Sequence, residues 1–171
     1  MALDSAYTST RQIPATFKKY SEDFRFGVNF DFGGGKYDDA TKYLETLGAT
    51  NLVYDPYNRS SKHNEDVKDE LFANGVNTIT CLNVLNVIKD QNERHYTISQ
   101  LLNLARASFD ERNEYPVIFI QVYAGNGSGV PSETTTQLNK KPAQYMEEIE
   151  YFFKDEWNIN RKGNIFKITH I

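Results

Sequence analysis

One cysteine, Cys81, stands in the whole 171-residue chain. A disulfide framework is therefore excluded, and a reducing compartment, the cytoplasm, is the expected setting. No apolar run reaches the length of a membrane-spanning helix. The opening MALDSAYTST has no basic stretch leading into an apolar one, so no export signal is expected. Positive charge is also short: 19 Lys and Arg against 23 Asp and Glu leave a net charge of −4. That balance argues against stable nucleic-acid binding, leaving only local basic groups at Lys140, Lys141, Arg161 and Lys162. The three histidines, His63, His95 and His170, are scattered and poorly matched with acids, so no metal site is expected. No GKS or GKT follows the glycines at 33–35, which argues against a triphosphate loop. What remains is an ordinary globular composition, 39% apolar with 11 Tyr and 11 Phe, enough for one domain with a real core.

The stretch GVNFDFGGGKY, residues 27–37, organises the rest. Val28–Phe30 is a short apolar run that reads as a buried strand, ending at Asp31 and followed by Gly33, Gly34 and Gly35. A helix-forming segment comes next. Strand, glycines and helix in that order build a mononucleotide crevice in parallel α/β proteins, because the glycines let the backbone turn tightly beside a ligand. Three glycines also cost backbone entropy, which a ligand lying against them would explain. Asn51–Asp55 is the second strand, stopped by Pro56. Its terminal carboxylate, Asp55, sits where a ribose diol is held at the end of a neighbouring strand, or else forms an Asx turn into Pro56.

Further along, helices are expected over 38–47, 64–74 (Val67, Leu71 and Phe72 inward), 93–109 and 142–154, from apolar residues at helical spacing. Val76–Leu82 is a third strand. Pro116 opens VIFIQVY, apolar enough to be a central strand. Trp157–Lys162 and Ile165–Ile171, around Gly163-Asn164, read as an antiparallel hairpin. The fold class is α/β: a three-layer α-β-α sandwich, mostly parallel, closing on that hairpin. The segment 124–141 is the longest without structure and reads as a ligand or substrate loop, with Tyr123 and Asn126 the first candidates for acceptor contacts. Residues 1–24 read as an N-terminal arm and 25–171 as the domain.

Asp31, Gly33 and Gly35 in an acid–x–Gly–x–Gly pattern, Asp55 closing the second strand, and the terminal hairpin resemble the class I S-adenosylmethionine-dependent methyltransferases. The strings DFGGGKYDDATKYL, NLVYDPYNRSSKHN and TITCLNVLNVIKDQNER are similar, more narrowly, to small methyltransferase-like proteins of phages, mobile elements and bacteria. The resemblance implies a Rossmann-like sheet and S-adenosyl-L-methionine as cofactor. Asp31 would support the glycine turn and the methionine amino end. Gly33, Gly34 and Gly35 would pass close to the methionyl and ribose parts, Asp55 with Pro56 would hold the ribose hydroxyls, and Asn83, near Leu85 and Asn86, would face the transferred methyl group.

Three departures stand out. The third glycine of the pattern falls on Tyr37, the family's third strand has no counterpart between Asp55 and Val76, and LNVLNV replaces the Asn-Pro-Pro-aromatic signature of adenine amino-methylation. Tyr57, Asn58 and Arg59 are polar neighbours on the same sheet edge that could meet adenine or simply pair with surface acids. No catalytic residue stands out. The methyl acceptor is unidentified, either small or presented by a larger partner. Two other classes fit the crevice: a non-catalytic binding or interaction module, and an NAD-type oxidoreductase, although no Tyr-x-x-x-Lys pair or second domain supports the latter. Cys81, among apolar neighbours, reads as packing.

Overall fold

The structure is a computed structural model that describes residues 9–171. The first eight residues of the expected arm, and with them most of the stretch inspected for an export signal, lie outside the described residues. Among the described residues six strands form one sheet in the order β2-β1-β3-β4-β6-β5. Strands β1 (Val28–Phe32), β2 (Thr50–Tyr54), β3 (Thr78–Leu82) and β4 (Val117–Gln121) run parallel. The hairpin β5 (Trp157–Lys162) and β6 (Ile165–His170) adds β6 antiparallel to β4. The chain steps outward from β1 to β2, then returns across β1 to β3. That reversal leaves a crevice at the carboxyl ends of β1 and β3.

Alternation along the strands assigns the layers. Phe30, Phe32, Ile79, Cys81, Ile118, Ile120, Phe166 and Ile168 point to one face and pack against α4 (Ser61–Asn74), α5 (Gln91–Arg112) and α6 (Met146–Phe153). The opposite face carries Leu82, Phe119 and Ile165 against α1 (Ala15–Lys19), α2 (Ser21–Phe24) and α3 (Asp39–Thr46). Phe17 and Phe24 are fully buried there, and Thr16 donates from both its backbone N–H and its hydroxyl to Gln121 Oε1, at 3.1 and 2.7 Å. Residues 15–24, expected in an arm ahead of the domain, are thus part of its outer layer.

Between Tyr54 and Thr78 the chain forms only α4, so the strand missing from the sequence is missing from the sheet, and among the described residues β2 is an edge. Helix α4 starts earlier than expected because Ser60 caps it, its hydroxyl accepting the His63 N–H at 3.1 Å. Ser60→Ala should cost about 1 kcal/mol, read from the urea midpoint. Phe72, expected inward on this helix, faces solvent, while Val67 and Leu71 fill the core. Asp90 caps α5 in the same way and left-handed Asn113 closes it, which lengthens it beyond 93–109. The last helix opens as a 3-10 turn, Pro142–Tyr145, before α6. Cys81 is buried, and burial pushes its thiol far above the ordinary range, with the nearby Asp31 charge adding to the effect. Among the described residues no helix is long and apolar enough to cross a membrane.

Candidate functional site

Strands β1 and β3 put apolar residues on one face and, up to Leu82, polar ones on the other. VNFDF in β1 and TITCL in β3 turn Asn29, Asp31, Thr78 and Thr80 to the same side, where β2 adds Asn51. These side chains form a buried, directional chain. Thr78 Oγ1 donates to Asn29 Oδ1 (2.8 Å), and Asn29 Nδ2 donates to both Asn51 Oδ1 and Thr80 Oγ1 (2.9 Å each). Thr80 Oγ1 then donates to Asp31 Oδ1 at 2.9 Å, and Asn51 Nδ2 reaches Asp31 Oδ2 at 3.4 Å. Both branches end on one carboxylate, at the crevice. Loss of hydration there raises the Asp31 pKa to about 6. Thr80 and Asn51 oppose the rise, Asp55 adds to it, and Arg59 lowers it slightly. Asp31 is thus a buried acid that would welcome a cation.

The turn after β1 explains its own glycines. Gly33 has φ +76°, and a Cβ there would lie 2.6 Å from Val84; a Cβ on Gly34 would meet Asp31 Oδ2 at 2.7 Å and Val53 at 2.8 Å. The close neighbours expected on the ligand side are the protein's own. The backbone N–H of Gly33 donates to Tyr54 O at 2.7 Å and that of Gly35 to Asp55 Oδ2 at 2.9 Å. Gly34 N–H makes no hydrogen bond among the described residues. Arg59 holds the turn from the other side, donating to Gly35 O (2.9 Å), Tyr37 O (3.3 Å) and Asp38 Oδ1 (2.8 Å). Its pairing with a surface acid is real, but two of its three contacts are to the turn backbone.

A cavity of about 930 Å³ opens over this turn. Asp31, Gly33, Gly34, Gly35, Asp55, Pro56 and Asn83 all line it. Asn83 is left-handed (φ 60°) at the end of β3, and its Oδ1 accepts Gln121 Nε2 at 3.3 Å. Ser9–Gln12 also line the cavity, with Arg11 over the Tyr37 ring at 4.2 Å and 3.5 Å from Asp39. Tyr57 and Tyr96 line it with more than half of their surface exposed. The supports Asn29, Asn51 and Thr80 belong to no motif in the sequence, although the polar–apolar alternation of VNFDF and TITCL carries their signal.

Other candidates lie elsewhere. Leu85 is core, and Asn86 is buried beside the 124–141 segment, with its Nδ2 3.3 Å from Gln137. Tyr123 and Asn126 do not line the cavity; of residues 124–141 only Thr136 does. That segment is folded on itself: Asn139 Oδ1 accepts Asn126 N–H, its Nδ2 donates to Val130 O, and Lys89 Nζ donates to Ser132 O. Turn-to-turn bonds from short polar side chains do not show as periodicity, so the sequence reads as structureless. His63 lies outside the cavity, its Nε2 2.7 Å from Val53 O.

No protein-family model and no curated protein matches the sequence. Solved structures do match the fold. One is an O-methyltransferase from neocarzinostatin biosynthesis, in complex with S-adenosylmethionine and 2-hydroxy-5-methyl naphthoic acid (TM-score 0.54, 16% identity over 85% of this chain). Another is an S-adenosylmethionine-dependent methyltransferase from Clostridium acetobutylicum (TM-score 0.51, 11% identity over 90% of this chain). The chain spans 49% of the length of the first and 88% of the second. The likeness shows the fold: the Rossmann-like sandwich of the class I S-adenosylmethionine-dependent methyltransferases.

Proposed function

We propose that this chain, built on the methyltransferase fold, binds S-adenosyl-L-methionine in the cavity over the glycine turn and transfers its methyl group to an acceptor not yet identified. The observation that carries the reading is Asp31, a buried carboxylate at the carboxyl end of β1, lining a cavity at the point where the strand order reverses. A buried acid without a bound cation is unfavourable when ionised, and the ammonium of a methionine moiety would relieve it. When bound, the cofactor supplies an electrophilic methyl group on a sulfonium.

The chain's own residues would bind, orient and shield. Asp31 would hold the ammonium, with its carboxylate fixed by Thr80 and Asn51. Gly34 N–H is available for an oxygen of the ligand. Asn83, anchored by Gln121, would meet the methionine portion beside the reacting methyl, and Pro56 with the backbone of Gly33 and Gly35 would form the wall. Ser9–Gln12, Tyr57 and Tyr96 would keep water out. Methyl transfer from a sulfonium needs mainly alignment, so a site with no evident base among the described residues is compatible with it. The acceptor is small or carried by a larger partner, and the buried thiol of Cys81 suits the cytoplasm.

Thermal-shift and calorimetric titration with S-adenosylmethionine, S-adenosylhomocysteine, NAD and ATP tests the reading. The first two should raise the melting point, by an amount equivalent to about 2.7 kcal/mol at a hundred times Kd. A response to NAD alone would move the chain to the oxidoreductases. A response to none of the four would remove the cofactor.

A further inference from the structure

The carboxylate of Asp55 has no capacity left for a sugar. Its Oδ1 accepts the backbone N–H of Tyr57 (2.9 Å) and of Asn58 (3.2 Å), and its Oδ2 accepts the backbone N–H of Gly35 (2.9 Å) and Nδ2 of Asn58 (3.0 Å). Four N–H donors match the roughly four acceptor positions of a carboxylate, and the residue is 3% exposed. Arg59, four residues on, takes the carbonyl of the same Gly35 and that of Tyr37. Both backbone groups of Gly35 are thus held by the segment that follows β2. The family pattern would place a third glycine at 37, but this chain has Tyr37, with its ring under Arg11.

We propose that Asp55 and Arg59 are a two-sided brace that presets the glycine turn, and that Asp55 is a positioning residue which does not hold the nucleoside diol. The proposal rests on the cofactor reading for its ligand, but the brace itself does not. A turn fixed from both sides needs no ordering when the ligand arrives, which favours binding by lowering its entropic cost. It follows that Asp55 does not distinguish an adenosine thioether with both sugar hydroxyls from one lacking either.

The test is calorimetric titration of the wild-type protein and of Asp55→Ala with S-adenosylhomocysteine and with its 2′-deoxy and 3′-deoxy analogues. The wild type should bind all three within about threefold, since no buried charged group loses a partner when a hydroxyl is removed. Asp55→Ala should weaken all three by a common factor on the order of tenfold, leaving their ratios unchanged. A wild-type preference for the full diol on the order of a hundredfold, lost in Asp55→Ala, would overturn the proposal. The wild-type comparison decides the diol question even if the variant does not fold.

A separate reading needs no ligand: hydrogen exchange of the Gly35 amide, followed by NMR. Asp55→Ala should accelerate that amide, with Asp55→Asn intermediate because it keeps one acceptor oxygen. Unchanged protection in Asp55→Ala would remove the brace. If the wild type binds none of the three thioethers, the cofactor reading fails, and the brace is judged on the Gly35 amide alone.

Discussion

Asp31→Asn should unfold at higher urea than the wild type at pH 8 and lose that advantage as the pH falls toward 4. The wild-type carboxyl has a pKa of about 6 in the fold against 3.8 for the unperturbed group. The folded state therefore holds this proton more tightly than the unfolded chain. Stability from Asp31 is fully present below pH 4 and is lost as the pH rises through 6. A shift of about two units is worth about 3 kcal/mol. The substitution removes that loss but introduces a mismatch, because an amide NH2 facing Asn51 Nδ2 sets donor against donor where Asp31 Oδ2 accepts. Subtracting about 1 kcal/mol for the lost bond leaves a net gain of about 2 kcal/mol at pH 8. Urea melts at half-unit pH steps read the difference directly, and a flat difference between pH 4 and 7 would reject the assignment. Ligand binding should move the opposite way. Wild-type affinity for S-adenosylhomocysteine should fall about tenfold per pH unit below 6 as the ammonium loses its counter-charge, whereas Asp31→Asn should bind weakly at every pH.

The same residue shows where the sequence was informative. Strand, acid, glycines and helix are local features, and local features set the chain's path through the crevice. The element order follows from helical and strand periodicities, and the missing third strand from the lack of any counterpart to it between Asp55 and Val76. What did not show was which partner each polar atom would find. Asp55 at a strand end looks the same in a sequence whether its lone pairs face a sugar or the amides of Gly35, Tyr57 and Asn58. Glycines at 33 and 34 look alike whether a ligand or Val84, Val53 and Asp31 crowd them. Phe72 had the right residue type for the core but the wrong angle on α4. Long-range polar pairs were invisible for the same reason: Thr16 with Gln121 lies 105 positions apart and Arg94 with Glu148 lies 54 apart, neither within any motif. The fold was legible because it repeats a hydrophobic period. The site was legible only as far as its backbone path.

Arg94→Ala should cause the largest loss of stability among these substitutions, about 3–5 kcal/mol. Arg94 on α5 meets Glu148 on α6 through two hydrogen bonds, Nη2 to Oε1 at 2.8 Å and Nε to Oε2 at 3.2 Å, with both side chains under a tenth exposed. Removing the guanidinium strands a buried carboxylate, although Lys140 at 3.9 Å and His95 at 3.7 Å from Oε1 place the loss at the lower end of that range. Burial works to raise the Glu148 pKa, but the hydrogen bonds and charge of Arg94, with Lys140 and His95, hold it below the usual carboxylate value. The pair therefore stabilises above pH 4.5 and is lost on acidification, so the gap between wild type and Arg94→Ala should narrow as the pH falls. Arg94→Met combined with Glu148→Leu should recover most of the stability, since an apolar pair of similar volume avoids the desolvation of two charges. Binding should not recover with it. Arg94 Nη1 also donates to Ile88 O at 2.8 Å and Lys89 O at 2.9 Å, and both residues line the cavity. The doubly substituted protein should thus melt near the wild type yet bind S-adenosylhomocysteine more weakly. Full recovery of both would mean that the rim at residues 88–89 holds its shape without Arg94.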